Sequence, residues 1–265
     1  SMDYLSPFNG TVVWDVSANS GFNYDIAGVM RADASRLDQR KSHSTNGPAV
    51  DVFNDIVTIA NGTNFSSPSG IANDGDAFIW GHDNGPLINT GVVVNYPTDN
   101  GEVIEAIFTR EWKSQETGAT GTMTIEFDLS SVVGVGGVLG SNDLQHIRLL
   151  VDEDGNYAVG ATSIAPTSYN NATGIIYFQH DFIAGTGNPM DQFRGYYFTL
   201  GTTNLSTSPL PVVLGQFDVE NTGCETSVQW STMSENHCDY FIIDRSYDLK
   251  EWEEVTRVSG ANNSS

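Results

Sequence analysis

The 265 residues are 39% hydrophobic, with 13 Phe, 10 Tyr and 5 Trp, which suits one domain of about 200 residues plus a small one and is too aromatic for a disordered chain. Eleven Lys plus Arg against 33 Asp plus Glu give a formal charge of −22, which repels phosphate backbones and anionic membrane surfaces and argues against nucleic acid as a partner. No run approaches the roughly 18 apolar residues of a membrane span, so no direct membrane insertion is expected.

Segments rich in Val, Ile, Thr, Phe and Tyr, separated by Gly, Asn, Asp and Pro, predict strands over Thr11–Val16, Ile56–Ala60, Ala77–Gly81, Val103–Trp112, Thr120–Leu129, His146–Val151, Gly174–Gln179 and Gly195–Leu200. Alternation is clearest from Thr122 to Leu129, where Met123, Ile125, Phe127 and Leu129 face a core and Thr124, Glu126 and Asp128 face solvent. Ile26–Gln39 lacks period 2 and reads as a short helix or an ordered loop. Short strands without regular intervening helices predict an all-β fold, a jelly-roll-like β-sandwich. The polar stretch Thr202–Pro209 suits a linker. It divides the chain into a β-sandwich domain, residues 1–208, and a small β-domain, residues 209–265, that stops before it is complete.

Cys224 and Cys238 both fall in the small domain. Cys224 precedes a predicted strand Ser227–Ser231 and Cys238 opens another, Asp239–Arg245, so antiparallel pairing would hold them roughly 20 Å apart and favours reduced thiols.

The segment LLVDEDGNYAVG carries Asp152, Asp154 and Asn156 at alternating positions around Gly155. Calcium takes several hard oxygen ligands, and a D-x-D-x-N turn gathers three, so these residues are the candidate calcium ligands; a plain acidic turn is the alternative. Asp74, Asp76 and Asp83, on the turns either side of the strand Ala77–Gly81, form a second candidate metal cluster if those turns converge. The Gly-rich Ser131–Asn142 misses the dinucleotide-binding spacing and reads as a loop.

His43, His82, His146, His180 and His237 show no metal-binding spacing and are expected at the surface or as caps. No G-x-S-x-G elbow occurs, so nothing supports serine hydrolase chemistry. Glu102, Glu105, Glu111, Glu116 and Glu126 are expected on a solvated sheet face. Trp14, Trp80 and Trp112 are expected in the core; if they instead lay exposed with Tyr96 and Tyr169, they would suit sugar stacking. Arg110 is expected to be buried against a carboxylate or to cover Trp112.

GTVVWDVSANSGFNYDIAGVMRADASRLDQRKSHS, IWGHDNGPL, REWKSQETG and RLLVDEDGNYAVGAT, in that order, resemble an uncharacterised domain of large secreted proteins of the Bacteroidetes type. The stretch from Leu210 is similar to the immunoglobulin- or fibronectin-like module that precedes type IX secretion sorting domains. The resemblance implies calcium at Asp152, Asp154 and Asn156 and a secreted or cell-surface location on the outer membrane exterior. The sequence thus predicts a non-catalytic, calcium-stabilised structural or adhesive module. Its expected partners are a polysaccharide, another cell-surface protein, or neighbouring domains of its own chain. A carbohydrate-binding module and a carboxylate-based glycosidase or lyase are the alternatives.

Overall fold

Strands make up nearly all the regular structure of the computed structural model, which describes residues 3–43, 56–85, 94–130, 143–182 and 195–204 and, further on, 214–221, 223, 226–232, 235–236, 240–246, 252–259 and 263–264. In chain order the first part carries β1 (Tyr4–Leu5), β2 (Val12–Trp14), β3 (Tyr24–Ala32), β4 (Leu37–Gln39), β5 (Lys41–His43), β6 (Val57–Asn61), β7 (Ala77–His82), β8 (Tyr96–Pro97) and β9 (Val103–Ile104). It continues with β10 (Ala106–Ile107), β11 (Trp112–Thr117), β12 (Met123–Asp128), β13 (Ile147–Asp152), β14 (Thr162–Ile164), β15 (Ser168–Asn170), β16 (Ile175–His180) and β17 (Tyr197–Thr202).

Two antiparallel sheets form the body. The larger runs β14-β13-β17-β11-β7-β3-β4, with β10 also paired to β17, and the smaller runs β15-β16-β12-β6-β5. One apolar core lies between them, built from Phe78, Trp80, Trp112 and Phe198 of the larger sheet and Ile59, Ile125, Phe127 and Phe178 of the smaller. Trp112 stacks on Phe198 with ring centroids 5.9 Å apart and meets Phe127 edge-on at 5.4 Å. The architecture is the expected all-β sandwich. Met123, Ile125, Phe127 and Leu129 face its core. Thr124, expected in solvent, is buried, and its hydroxyl donates to the Gly62 carbonyl.

Ile26–Gln39 is mostly strand, with one short 3-10 turn of helix. It holds most of β3, a 3-10 turn Asp33–Ser35 and β4, a hairpin on the edge of the larger sheet. Period 2 fails there because β3 is covered on both faces: Ala27 and Val29 join the main core, while Met30 and Ala32 pack outward with Val13 and Trp14. The predicted strand Val103–Trp112 is also divided. β9 and β10 end by Ile107 and β11 starts at Trp112; between them Arg110 is buried, its Nε donating to the Gly85 carbonyl at 2.7 Å while its own carbonyl accepts the Thr199 hydroxyl. The break lies inside the sheet, since β10 and β11 both pair with β17.

The later residues form β18 (Leu214–Asn221), β19 (Thr226–Thr232), β20 (Glu235–Asn236), β21 (Tyr240–Arg245), β22 (Glu253–Ser259) and β23 (Asn263–Ser264). β18 pairs with β19, β21 with β22 and β20 with β23, all antiparallel. Trp230 of β19 meets Phe241 of β21 with ring centroids 5.6 Å apart. Cys224, Cys238, the Ser131–Asn142 loop and most of the predicted linker lie outside the described residues. Among the described residues no helix is long and apolar enough to cross a membrane.

Candidate functional site

β13 alternates so that Val151 enters the core and Asp152 takes the opposite face, where the chain turns. The Asp152 Oδ1 accepts the amides of Asp154, Gly155 and Asn156 at 2.8, 2.7 and 3.2 Å, and the Asp154 Oδ1 accepts that of Asn156 at 2.9 Å. The D-x-D-x-N spacing therefore closes a turn on itself, with Gly155 in the left-handed region at φ 80°. Asp152 is buried, whereas Asp154 and Asn156 are exposed. Burial pushes the Asp152 carboxyl up, the amides of Asp154 and Gly155 oppose the shift, and the neighbouring Asp154 carboxyl adds to it.

The second predicted cluster does not assemble. Asp74 and Asp76 precede β7 and Asp83 follows it, and six extended residues separate them by roughly 20 Å. The Asp74 Oδ1 accepts the Asp33 amide at 2.8 Å, and the Asp76 Oδ2 accepts from the Asn73 side chain at 2.9 Å and the Ala119 amide at 3.1 Å. At the far end of β7, the Asp83 Oδ1 accepts the amides of Gly85 and Glu111 at 2.8 and 3.2 Å.

Sheet register brings Asp83 to the Asp152 turn instead. Lys113 of β11 lies opposite both Gly81 of β7 and Tyr197 of β17, and Tyr197 lies opposite Asp152 of β13. Asp83, Glu111 and Asp152 thus gather at one end of the sheet around Tyr157. Burial pushes the Glu111 carboxyl up to about 7; the Tyr157 hydroxyl opposes this, and the charges of Asp83 and Asp152 add to it. Tyr157 is 6% exposed, its ring packed with Ile104, Leu150 and Ala161. Burial and then the Glu111 charge push its hydroxyl well above the usual range. The hydroxyl influences Glu111 yet reaches no partner at hydrogen-bond geometry, a deficit of about 1–3 kcal/mol for a buried polar group. Among the described residues no three His, Cys, Asp or Glu side chains form a group that could hold a metal ion.

A family model described as a domain of unknown function, DUF8202, matches residues 1–182 of the 265. The chain belongs to this family. No curated protein and no solved structure matches it. The sandwich of this DUF8202 member extends past the matched residues, because β17, at 197–202, lies between β13 and β11.

Elsewhere in the DUF8202 domain, polar side chains of the central strands turn inward onto the backbone of connecting loops. His82, expected at the surface, is 1% exposed; its Nδ1 accepts the Asn84 amide at 2.9 Å, which leaves Nε2–H to donate to the Asp25 Oδ2 at 2.8 Å. Both ring nitrogens are engaged, so neither is available as a general base. Burial and the Arg110 charge hold His82 below the usual histidine range. The Gln115 Oε1 accepts the Asp15 amide and the Asn19 side chain at 3.0 and 2.7 Å. Glu116, expected in solvent, is buried and holds Thr120, while the Asn61 side chain donates to the Thr120 carbonyl at 2.6 Å. Trp14, Trp80 and Trp112 are core residues; Tyr96 is half-buried beside Ile104, and Tyr169 is 40% exposed.

Sequence reasoning missed Glu111 and Tyr157 as neighbours of Asp152. Glu111 lies in the break between β10 and β11, where period 2 gives no face. Tyr157, directly after Asn156, was the readable signal: a large aromatic closing an acidic turn is a candidate to bury its ring, and its hydroxyl goes with it.

Proposed function

We propose that this DUF8202 domain is a non-catalytic structural and adhesive module of a secreted or cell-surface protein of the Bacteroidetes type, exported with a type IX sorting domain. The observation that carries the reading is the use of the buried polar side chains. His82, Asn61, Arg110, Gln115, Glu116 and Thr199 each bond the backbone of a connecting segment, which suits a body that holds its loops in fixed positions for a partner. The acidic surface supports solubility in an exterior setting, and a polysaccharide or a neighbouring surface protein is the partner such a module would hold.

The test is a bead-adhesion assay with the full chain immobilised and polysaccharide-coated or cell-coated surfaces as targets. Retention of the beads with the polysaccharide left intact is the expected result. Soluble sugar products released by the chain would replace the adhesive reading with the glycosidase or lyase one.

A further inference from the structure

We propose that the acidic cluster at the ends of β7, β11 and β13 takes a hydrated divalent cation, with Asp83, Glu111 and Asp152 facing its charge and the Tyr157 hydroxyl offering a further oxygen. The site is not the D-x-D-x-N turn alone, since Asp83 and Glu111 come from distant parts of the chain. It is independent of whether the module adheres to anything.

Charge is the first argument. Three carboxyl groups from three elements share a partly buried place, and among the described residues none of them forms an ion pair. The neighbouring ammonium, Lys113, acts on Glu111 without pairing with it: its Nζ donates to the Ala18 carbonyl at 3.1 Å and lies 4.9 Å from the centre of the Tyr197 ring. Like charges held together in this way are relieved by a proton or by a cation.

The Tyr157 hydroxyl is the second and independent argument. Its ring is fixed by Ile104, Leu150 and Ala161, so the hydroxyl cannot swing out to solvent, and although it lies near enough to Glu111 to act on it, it meets no partner at full hydrogen-bond geometry. A water of the cation's shell supplies the missing bond. Asp152 is prepared for the same task, because three amides hold its Oδ1 and fix the direction of its second oxygen. These carboxyl groups do not by themselves form a group that could hold a metal ion, so the ion the cluster takes is one that keeps most of its own waters, as magnesium does. Asp154 and Asn156, exposed on the same turn, give it a path from solvent.

Terbium luminescence on the full chain, sensitised by the tyrosines at the cluster, tests this. Saturable emission that calcium or magnesium displaces is expected. Glu111→Gln and Asp152→Asn, which keep the shapes of the side chains, should each weaken binding by about tenfold or more. Asp74→Asn, at the other end of β7, should leave it unchanged. If Asp152→Asn loosens the turn, as a thermal melt would reveal, Glu111→Gln decides alone. Absence of saturable emission, emission indifferent to Glu111→Gln, or emission abolished by Asp74→Asn overturns the proposal.

Discussion

One oxygen of Glu116 gathers two donors from Thr120: the amide and the hydroxyl lie 2.7 and 2.6 Å from Oε1, while Oε2 is buried without a hydrogen-bond partner. The pair closes the corner between β11 and β12, where the chain leaves the larger sheet for the smaller. With Glu116 3% exposed, its carboxyl is stabilised at one oxygen and stranded at the other.

This predicts a stability that falls as pH rises. Burial pushes the Glu116 carboxyl from 4.5 up to about 7, with Thr120 opposing and Asp181 and Asp76 adding to the shift. Between those values the folded chain keeps a proton that the unfolded chain has released. The contribution is therefore complete below the unfolded value and lost as pH rises through about 7, a change on the order of 3 kcal/mol. Glu111 acts in the same direction, its effect reduced by its greater exposure to solvent. Thermal melts at about pH 5 and about pH 8 should show a smaller drop for Glu116→Gln than for the parent chain. Parallel profiles would reject the assignment.

Legibility in the sequence followed the sidedness of each strand. β12 was plain because its inner residues, Met123, Ile125 and Phe127, alternate with more polar ones. β3 was hidden because both its faces are apolar, a pattern that looks aperiodic until the β1–β2 ribbon is known to cover the second face. The Asp152 turn was visible from spacing, since its hydrogen bonds are local. Its neighbours Asp83 and Glu111 were not, because their approach depends on register across β7, β11, β17 and β13, which no local pattern encodes.

His82 should behave as a fixed neutral tautomer. Its Nδ1 accepts the Asn84 amide and its Nε2 carries the proton toward Asp25, whose backbone occupies the left-handed region at φ 47°. Because its folded value lies below the ordinary 6.5, the unfolded chain takes up a proton first as pH falls. The stability linked to His82 is present above about 6.5 and declines below it, opposite in sign to Glu116. Nitrogen NMR shifts should report the Nε2–H form at neutral pH, with protonation displaced to lower pH than in an exposed histidine. His82→Phe removes the acceptor of the Asn84 amide and the donor to the Asp25 Oδ2 and should cost about 1–3 kcal/mol in denaturant unfolding. A protonated ring at neutral pH would contradict this geometry.

Gly28 and Ile79 face each other across β3 and β7 so closely that a Cβ on Gly28 would stand 2.2 Å from the Ile79 Cδ1 and 3.2 Å from the Phe78 carbonyl oxygen. Ile79 cannot easily withdraw, since it packs with Val13, Trp14 and Met30 beneath the β1–β2 ribbon. Gly28→Ala should therefore destabilise the fold by about 1–3 kcal/mol through overpacking. Ile79→Val alone removes Cδ1 and should cost about 0.5–1.5 kcal/mol. Combined, the two changes fill each other's misfit, because the alanine methyl enters the space that Cδ1 leaves. The double variant should lose less stability than the sum of the single ones, by at least about 0.5 kcal/mol in a double-mutant cycle. Strict additivity would mean that the strands separate to admit the methyl, and that the close approach at Gly28 does not hold the ribbon-covered face together.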